Sequence, residues 1–221
     1  MNTQLTFDWP TGIALGADDF FVSDANAQAY AMVQSPATWP DRKLVLVGPH
    51  GCGKTHLAKV AATSLNASLH SAKALPELSQ AGAAIVIEDM HHLPDTAQEH
   101  MFHLHNHLRH TGGTLLMTAT TPPTRWHIGL ADLASRMQAT AIATIDAPDD
   151  ALLQALIMKL FADRQIAPQP QLIPYLARRI ERSYGAVEAI VDLLDRTAMQ
   201  HGRPLTRALA ASLLDNPDHD G

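Results

Sequence analysis

The segment Gly48-Pro49-His50-Gly51-Cys52-Gly53-Lys54-Thr55 matches G-x-x-x-x-G-K-[ST] in full. That spacing suits a polyphosphate. Glycines let the backbone curl until its N–H groups point inward at phosphate oxygens. Lys54 brings a point charge to the terminal phosphates, and the Thr55 hydroxyl is a ligand for Mg²⁺. The positive end of a following helix adds favourable potential. About thirty residues later, Ala84-Ile85-Val86-Ile87 runs into Glu88-Asp89. Read alone, this is as easily a buried strand ending in two solvated acids. After a phosphate loop, Glu88 becomes the candidate to approach Mg²⁺, directly or through water, and Asp89 the candidate to orient an attacking water. The third apolar run ends in Thr118-Ala119-Thr120, where a polar side chain either meets the γ-phosphate or lytic water or caps its own chain; Thr120 is taken as the candidate. Arg136 poses a similar choice. It is a finger for a neighbour's γ-phosphate or a surface arginine paired with Asp132 at i, i+4.

These groups need elements to hold them. Leu44-Val45-Leu46-Val47 is a short apolar run of the kind a parallel sheet buries on both faces. A helix is expected over Lys54 to about Leu65. Ala83–Ile87, Leu115–Met117 and Ala141–Ile145 are three further buried-strand candidates. Ser23 is placed to cap a helix from Asp24 to Gln34. Asp95 with Gln98 three residues on forms a candidate capping box opening a helix to about His110, closed by Gly112-Gly113. Strands alternating with helices predict an α/β fold with a parallel sheet. After Pro148 the period changes. Leu152, Leu153, Leu156, Ile157, Leu160 and Phe161 share one helical face. Further helices are expected at about 170–182, 184–201 and 205–214. The chain thus divides into a tail (1–17), a nucleotide-binding core (18–147) and a small all-helical domain (148–221).

Composition bounds what the chain can be. Its 221 residues are 46% hydrophobic but only 5% aromatic, so the core is aliphatic. The net charge of −6 argues against a broad DNA-gripping surface. One cysteine excludes an internal disulfide and suits a reducing cytosol. No basic, apolar leader opens the chain, and no run reaches the ~20 apolar residues of a membrane helix. A cytoplasmic protein is expected, with no membrane partner. Seven of the 13 histidines lie between His91 and His110. His103 and His107 have zinc-compatible spacing, but no cysteine or carboxylate pattern completes a site. Met101, Leu104 and Leu108 read as the buried stripe, with the histidines on the surface around them.

The order of these motifs resembles the AAA+ module of the DnaA replication initiator, and among its relatives the short regulators of the Hda type. The resemblance runs through Phe21-Val22 with Asn26, Gly48–Thr55, Glu88-Asp89, Leu116-Met117-Thr118 and Pro122-Pro123. Its most specific segment is Gly129-Leu130-Ala131-Asp132-Leu133-Ala134-Ser135-Arg136, similar to the regulators' arginine-finger box. The resemblance implies a P-loop AAA+ core with a helical lid. ADP or ATP, with Mg²⁺, would be held by Val22, Asn26, Pro49, His50, Gly51, Cys52, Gly53, Lys54, Thr55 and His56. Gln4-Leu5-Thr6-Phe7-Asp8-Trp9 looks like a sliding-clamp-binding peptide. Leu5, Phe7 and Trp9 would fill an apolar pocket while Gln4 bonds its rim. The implied function is a clamp-docked regulator that places Arg136 at the ATP of a DnaA-type initiator and stimulates its hydrolysis. Sequence-specific DNA binding is not expected, because no helix-turn-helix segment follows the lid helices.

Three positions depart from the family pattern. Glu88 stands where aspartate is usual, and octahedral Mg²⁺ tolerates little misplacement. Gly185 falls at the lid position of the nucleotide-sensing arginine, with Arg179 and Arg182 nearby. Thr120 stands where an acidic residue is common. Intrinsic hydrolysis is therefore expected to be weak or absent. Two other functions compete with the regulator. One is an autonomous ATPase or helicase loader, and the other a nucleotide-gated adaptor that stimulates no hydrolysis.

Overall fold

The structure is a computed structural model that describes residues 14–15, 20–78, 81–201 and 204–215. The proposed clamp peptide, with Gln4, Leu5, Phe7 and Trp9, lies outside the described residues. Two compact units form, one over Leu15–Asp146 and one from Ala147 onward.

The first unit carries short strands β1 (Ala14–Leu15) and β2 (Phe21–Val22), then helix α1 (Ala27–Val33). A five-stranded sheet follows, made of β3 (Lys43–Val47), β4 (Ser68–Ser71), β5 (Ala84–Glu88), β6 (Thr114–Ala119) and β7 (Ala141–Thr144). The spatial order is β4-β5-β6-β3-β7, and every pairing is parallel. Helices α2 (Lys54–Leu65), α3 (Gln98–Thr111) and α4 (Ala131–Ala139) supply the crossovers. Alternate residues of each strand face opposite layers. Val45, Ile85, Ile87, Leu115 and Met117 share one core with Met101, Leu104 and Leu108 of α3 and Leu133 and Met137 of α4. Leu44, Leu46, Val86 and Leu116 are also fully buried, and α2 packs against β5 and β6. Both faces are therefore dry, which is why β3, β5 and β6 are continuous apolar runs.

The second unit contains α5 (Asp150–Asp163), α6 (Leu172–Arg179), α7 (Tyr184–His201) and α8 (Arg207–Asp215). Its core is Leu153, Ile157, Phe161, Leu172, Leu176, Val187, Val191, Leu194 and Ala210. Asp149 caps α5 by accepting the Leu152 N–H at 2.8 Å.

Several local expectations are corrected. Helix α1 begins at Ala27, not Asp24, because Asn26 Oδ1 accepts the Ser23 N–H at 2.9 Å and holds residues 23–26 in a turn. The edge strand β4 was not anticipated, since Ser68-Leu69-His70-Ser71 has neither an apolar run nor a buried face. The expected capping box is absent. A 3₁₀ turn fills Asp95–Ala97; Gln98 Nε2 does donate to Asp95 Oδ1 at 2.8 Å, but neither side chain caps a helix N–H, and Gln98 Oε1 accepts from Gly129 and Leu130 instead. Helix α6 stops at Arg179 because Ser183 starts α7, its Oγ accepting the Ala186 N–H at 3.1 Å. His105 is buried, unlike the surface histidines expected on α3.

Candidate phosphate-binding site

The loop after β3 is shaped by its glycines. Gly51 and Gly53 have φ of 76° and 90°, which L side chains rarely adopt. A Cβ at Gly53 would lie 2.8 Å from Phe20 Cε2, and one at Gly48 would lie 2.7 Å from Cys52 Sγ. The Gly48 N–H donates to the Ala119 carbonyl at 3.2 Å, tying the loop to β6. Lys54 is 8% exposed, and its Nζ donates to the carbonyls of Gly48 at 2.9 Å and Pro49 at 2.7 Å. Pro49, His50, Gly51 and Thr55 are exposed at the loop surface. Burial pushes the Cys52 thiol pKa up, against the pull of the Lys54 charge. The loop thus presents backbone N–H groups, an ammonium and the exposed Thr55 hydroxyl, the kinds of group that can meet a polyphosphate.

Strand β6 separates β5 from β3, so Glu88 stands two strand spacings, ~10 Å, to the side of the loop strand. Glu88 is half-buried and Asp89 exposed. Asp89 takes a left-handed backbone with φ of 60°, and its N–H donates to Thr118 Oγ1 at 3.2 Å. Of the two threonines at this strand end, the buried hydroxyl belongs to Thr118 and not to the candidate Thr120. The half-buried Thr120 donates its N–H to His91 Nδ1 at 3.4 Å. His91 has its pKa lowered by burial, then by the neighbouring His92 and Lys54, with Asp89 opposing.

Asn26 is buried, and both ends of its amide are engaged, Nδ2 donating to the Phe21 carbonyl at 2.8 Å. It shapes the segment before the loop. Val22 and His56 are half-buried. Phe20 stacks on His56 at 5.7 Å and on Tyr30 at 5.8 Å, forming a lid over Gly53. An aromatic packed against a glycine of the loop left no periodic signal in sequence.

Arg136 does not pair with Asp132. Among the described residues it makes no ion pair; its guanidinium lies 4.9 Å over the Phe102 ring. It shares a recess with Lys43, the first residue of β3. The phosphate loop leaves the other end of that strand, ~13 Å away by strand rise. Gln98 positions the start of α4. Its Oε1 accepts the N–H groups of Gly129 at 2.9 Å and Leu130 at 3.1 Å, and its Nε2 donates to the His127 carbonyl. In the second unit, Gly185 is exposed with nothing near its Cβ position. Arg179 pairs with Asp215 at 2.5 Å and Arg182 with Asp150 at 2.8 Å. Among the described residues, no three of the His, Cys, Asp and Glu side chains gather as a metal site. No described helix is long and apolar enough to cross a membrane.

Residues 44–102 match the model for the ATPase family associated with various cellular activities (AAA). The chromosomal replication initiator protein DnaA of Campylobacter jejuni is 26% identical over 229 aligned positions, covering 89% of this chain and 51% of the relative. The chain thus spans about half the length of the curated relatives it matches. Domain III of the Thermotoga maritima replication initiation protein DnaA superposes with a TM-score of 0.72 at 18% identity, covering 92% of this chain and 98% of that one. The AMPPCP-bound DnaA of Aquifex aeolicus superposes with a TM-score of 0.65 at 17% identity, covering 84% and 68%. With its parallel five-stranded sheet and acid-terminated β5, the chain has the α/β AAA+ fold, similar to that of domain III of DnaA.

Proposed function

We propose that the chain is a nucleotide-binding regulator of replication initiation that acts on a second, initiator-type AAA+ protein. Gly48–Thr55 holds ADP or ATP, with Thr55 and Glu88 toward Mg²⁺. When bound, the metal neutralises phosphate charge. Lys54 turns its ammonium from the loop carbonyls to the phosphates. Asp89 and Thr120 stand at the strand ends where a hydrolytic water would be oriented. Glu88 in place of aspartate and Gly185 in place of a sensing arginine favour a nucleotide used as a structural ligand over one turned over quickly.

Arg136 is the group that acts in trans. The observation that carries this reading is its place at the far end of β3 from its own phosphate loop, without a carboxylate partner among the described residues. An arginine side chain does not bridge ~13 Å, so a nucleotide on which Arg136 acts as a finger is one held by another chain and not the one in its own loop. Residues 4–9 would dock on the sliding clamp and bring the two proteins together. The test is hydrolysis of initiator-bound ATP with clamp and DNA present. Replacing Arg136 by Ala should lower the stimulated rate about 10³-fold, and deleting residues 1–9 should abolish the clamp-dependent part. Unchanged stimulation by the alanine variant would favour the adaptor. An intact chain that hydrolyses ATP at tens per minute alone would favour the autonomous ATPase.

A further inference from the structure

The recess beside Arg136 has a chemistry of its own. It is a cavity of about 240 Å³ lined by Asp41, Lys43, His105, Arg109, Arg136 and Thr140 among others. Three permanent or near-permanent cations face one carboxylate, and that carboxylate, Asp41, pairs loosely with Arg109 at 3.9 Å. Lys43 is only 2% exposed, yet among the described residues its ammonium meets no acid. Its Nζ donates to the Asp41 carbonyl at 3.0 Å, leaving two of three donors unused. A buried ammonium held this way is costly unless a counter-charge arrives. His105 is 4% exposed, and among the described residues its Nδ1 has no hydrogen-bond partner. An orphaned buried donor or acceptor is rare in a folded protein. Thr140 Oγ1 donates to the Arg136 carbonyl at 2.9 Å and anchors that wall.

We propose that this cavity is a second anion site, taking inorganic phosphate or the terminal phosphoryl group of a phosphate ester. Lys43, Arg109 and Arg136 supply the charge, and the neutral imidazole of His105 supplies an Nδ1–H donor. The cavity lies below the about 300–1,000 Å³ typical of organic-ligand pockets, which suits one phosphate group and not a whole nucleotide. It sits at the opposite end of β3 from the phosphate loop, so a single chain can hold both anions. The proposal does not depend on Arg136 acting as a finger.

The test uses the full chain carrying Lys54→Ala, which silences the phosphate loop, with ¹³C-labelled histidine. His105 is assigned by comparison with His105→Gln. Inorganic phosphate should bind saturably. Burial and the charges of Lys43, Arg136 and Arg109, only partly offset by Asp41, hold His105 at about 4. Bound phosphate should raise that midpoint by about 1–3 units, the effect of an opposite charge within hydrogen-bonding range. Lys43→Met should weaken binding about tenfold or more. Arg109→Gln, at an exposed side chain that tolerates change, should weaken it about threefold. A ribonucleoside monophosphate that displaces phosphate at His105 identifies the ligand as an ester, while phosphate alone binding identifies the free ion; either supports the site. No saturable response at millimolar phosphate, an equal response to chloride at matched ionic strength, or unchanged affinity in Arg109→Gln would overturn it. Stimulation of the initiator by the otherwise native chain is a separate measurement, so failure of one reading leaves the other standing.

Discussion

Gln98 offers a test of how the fold aims Arg136. Its Oε1 accepts two backbone N–H groups, those of Gly129 and Leu130, and its Nε2 donates to the His127 carbonyl. Leu130 is the N-terminal flanking residue of α4, which lacks a side-chain cap of its own. A glutamine from α3 therefore does the work a local Ser or Asp usually does. Gln98→Met keeps the length and volume but removes the partner of two N–H donors, of the His127 carbonyl and of the exposed Asp95 carboxylate. At about 1 kcal/mol per neutral hydrogen bond, and more for a group left buried, the change should lower stability by about 2–4 kcal/mol. The local effect is sharper. Losing the two bonds to Oε1, about 2 kcal/mol together, should speed amide exchange at Gly129 and Leu130 by roughly 30-fold. Hydrogen-exchange mass spectrometry of a peptide spanning residues 126–131 reads this directly. Trp126, buried with its Nε1–H donating to the Thr121 carbonyl at 2.8 Å, reports on the same loop by fluorescence. Exchange at the two amides changed by less than about threefold would refute the idea that Gln98 holds the start of α4.

Three further outcomes are expected. Gly53→Ala introduces a Cβ 2.8 Å from Phe20 at a φ of 90°, so it should destabilise the core by about 1–2 kcal/mol in urea unfolding. It should weaken nucleotide binding more than the exposed Gly185→Ala, which adds a Cβ with nothing within 4 Å. Lys54→Ala should lower affinity for adenine nucleotide by at least tenfold in calorimetry while leaving α2 folded, because the helix starts from backbone geometry. His105 is held at about 4 in the folded chain against an ordinary value near 6.5. Its stabilising neutrality is present above pH 6.5 and is lost as pH falls toward 4, an effect of about 2–3 kcal/mol by proton linkage. Urea midpoints at pH 7.5 and 5.0 should differ accordingly, and His105→Gln should flatten the difference.

The sequence by itself determined the parts that local chemistry controls. A phosphate loop needs glycines at set places, so Gly48–Thr55 was legible without a fold. Strands buried on both faces must be apolar throughout, which exposed β3, β5 and β6; β7 was legible as a strand, but at the sheet edge it is half-exposed and not buried as expected. The switch from strand runs to helical spacing near Pro148 marked the helical domain. β4 escaped because an edge strand with exposed side chains carries no such pattern. Tertiary structure alone decided which of two chemically alike hydroxyls is buried against Asp89, since Thr118 lies inside β6 and Thr120 just past its end. It alone brought Gln98 to Gly129 and Leu130, 31 and 32 positions away, in addition to the local bond from its Nε2 to Asp95. It alone set Arg136 over Phe102 and beside Lys43 instead of on Asp132 one turn back. Charges and amides act over a few ångströms regardless of chain separation, so their partners are chosen by packing.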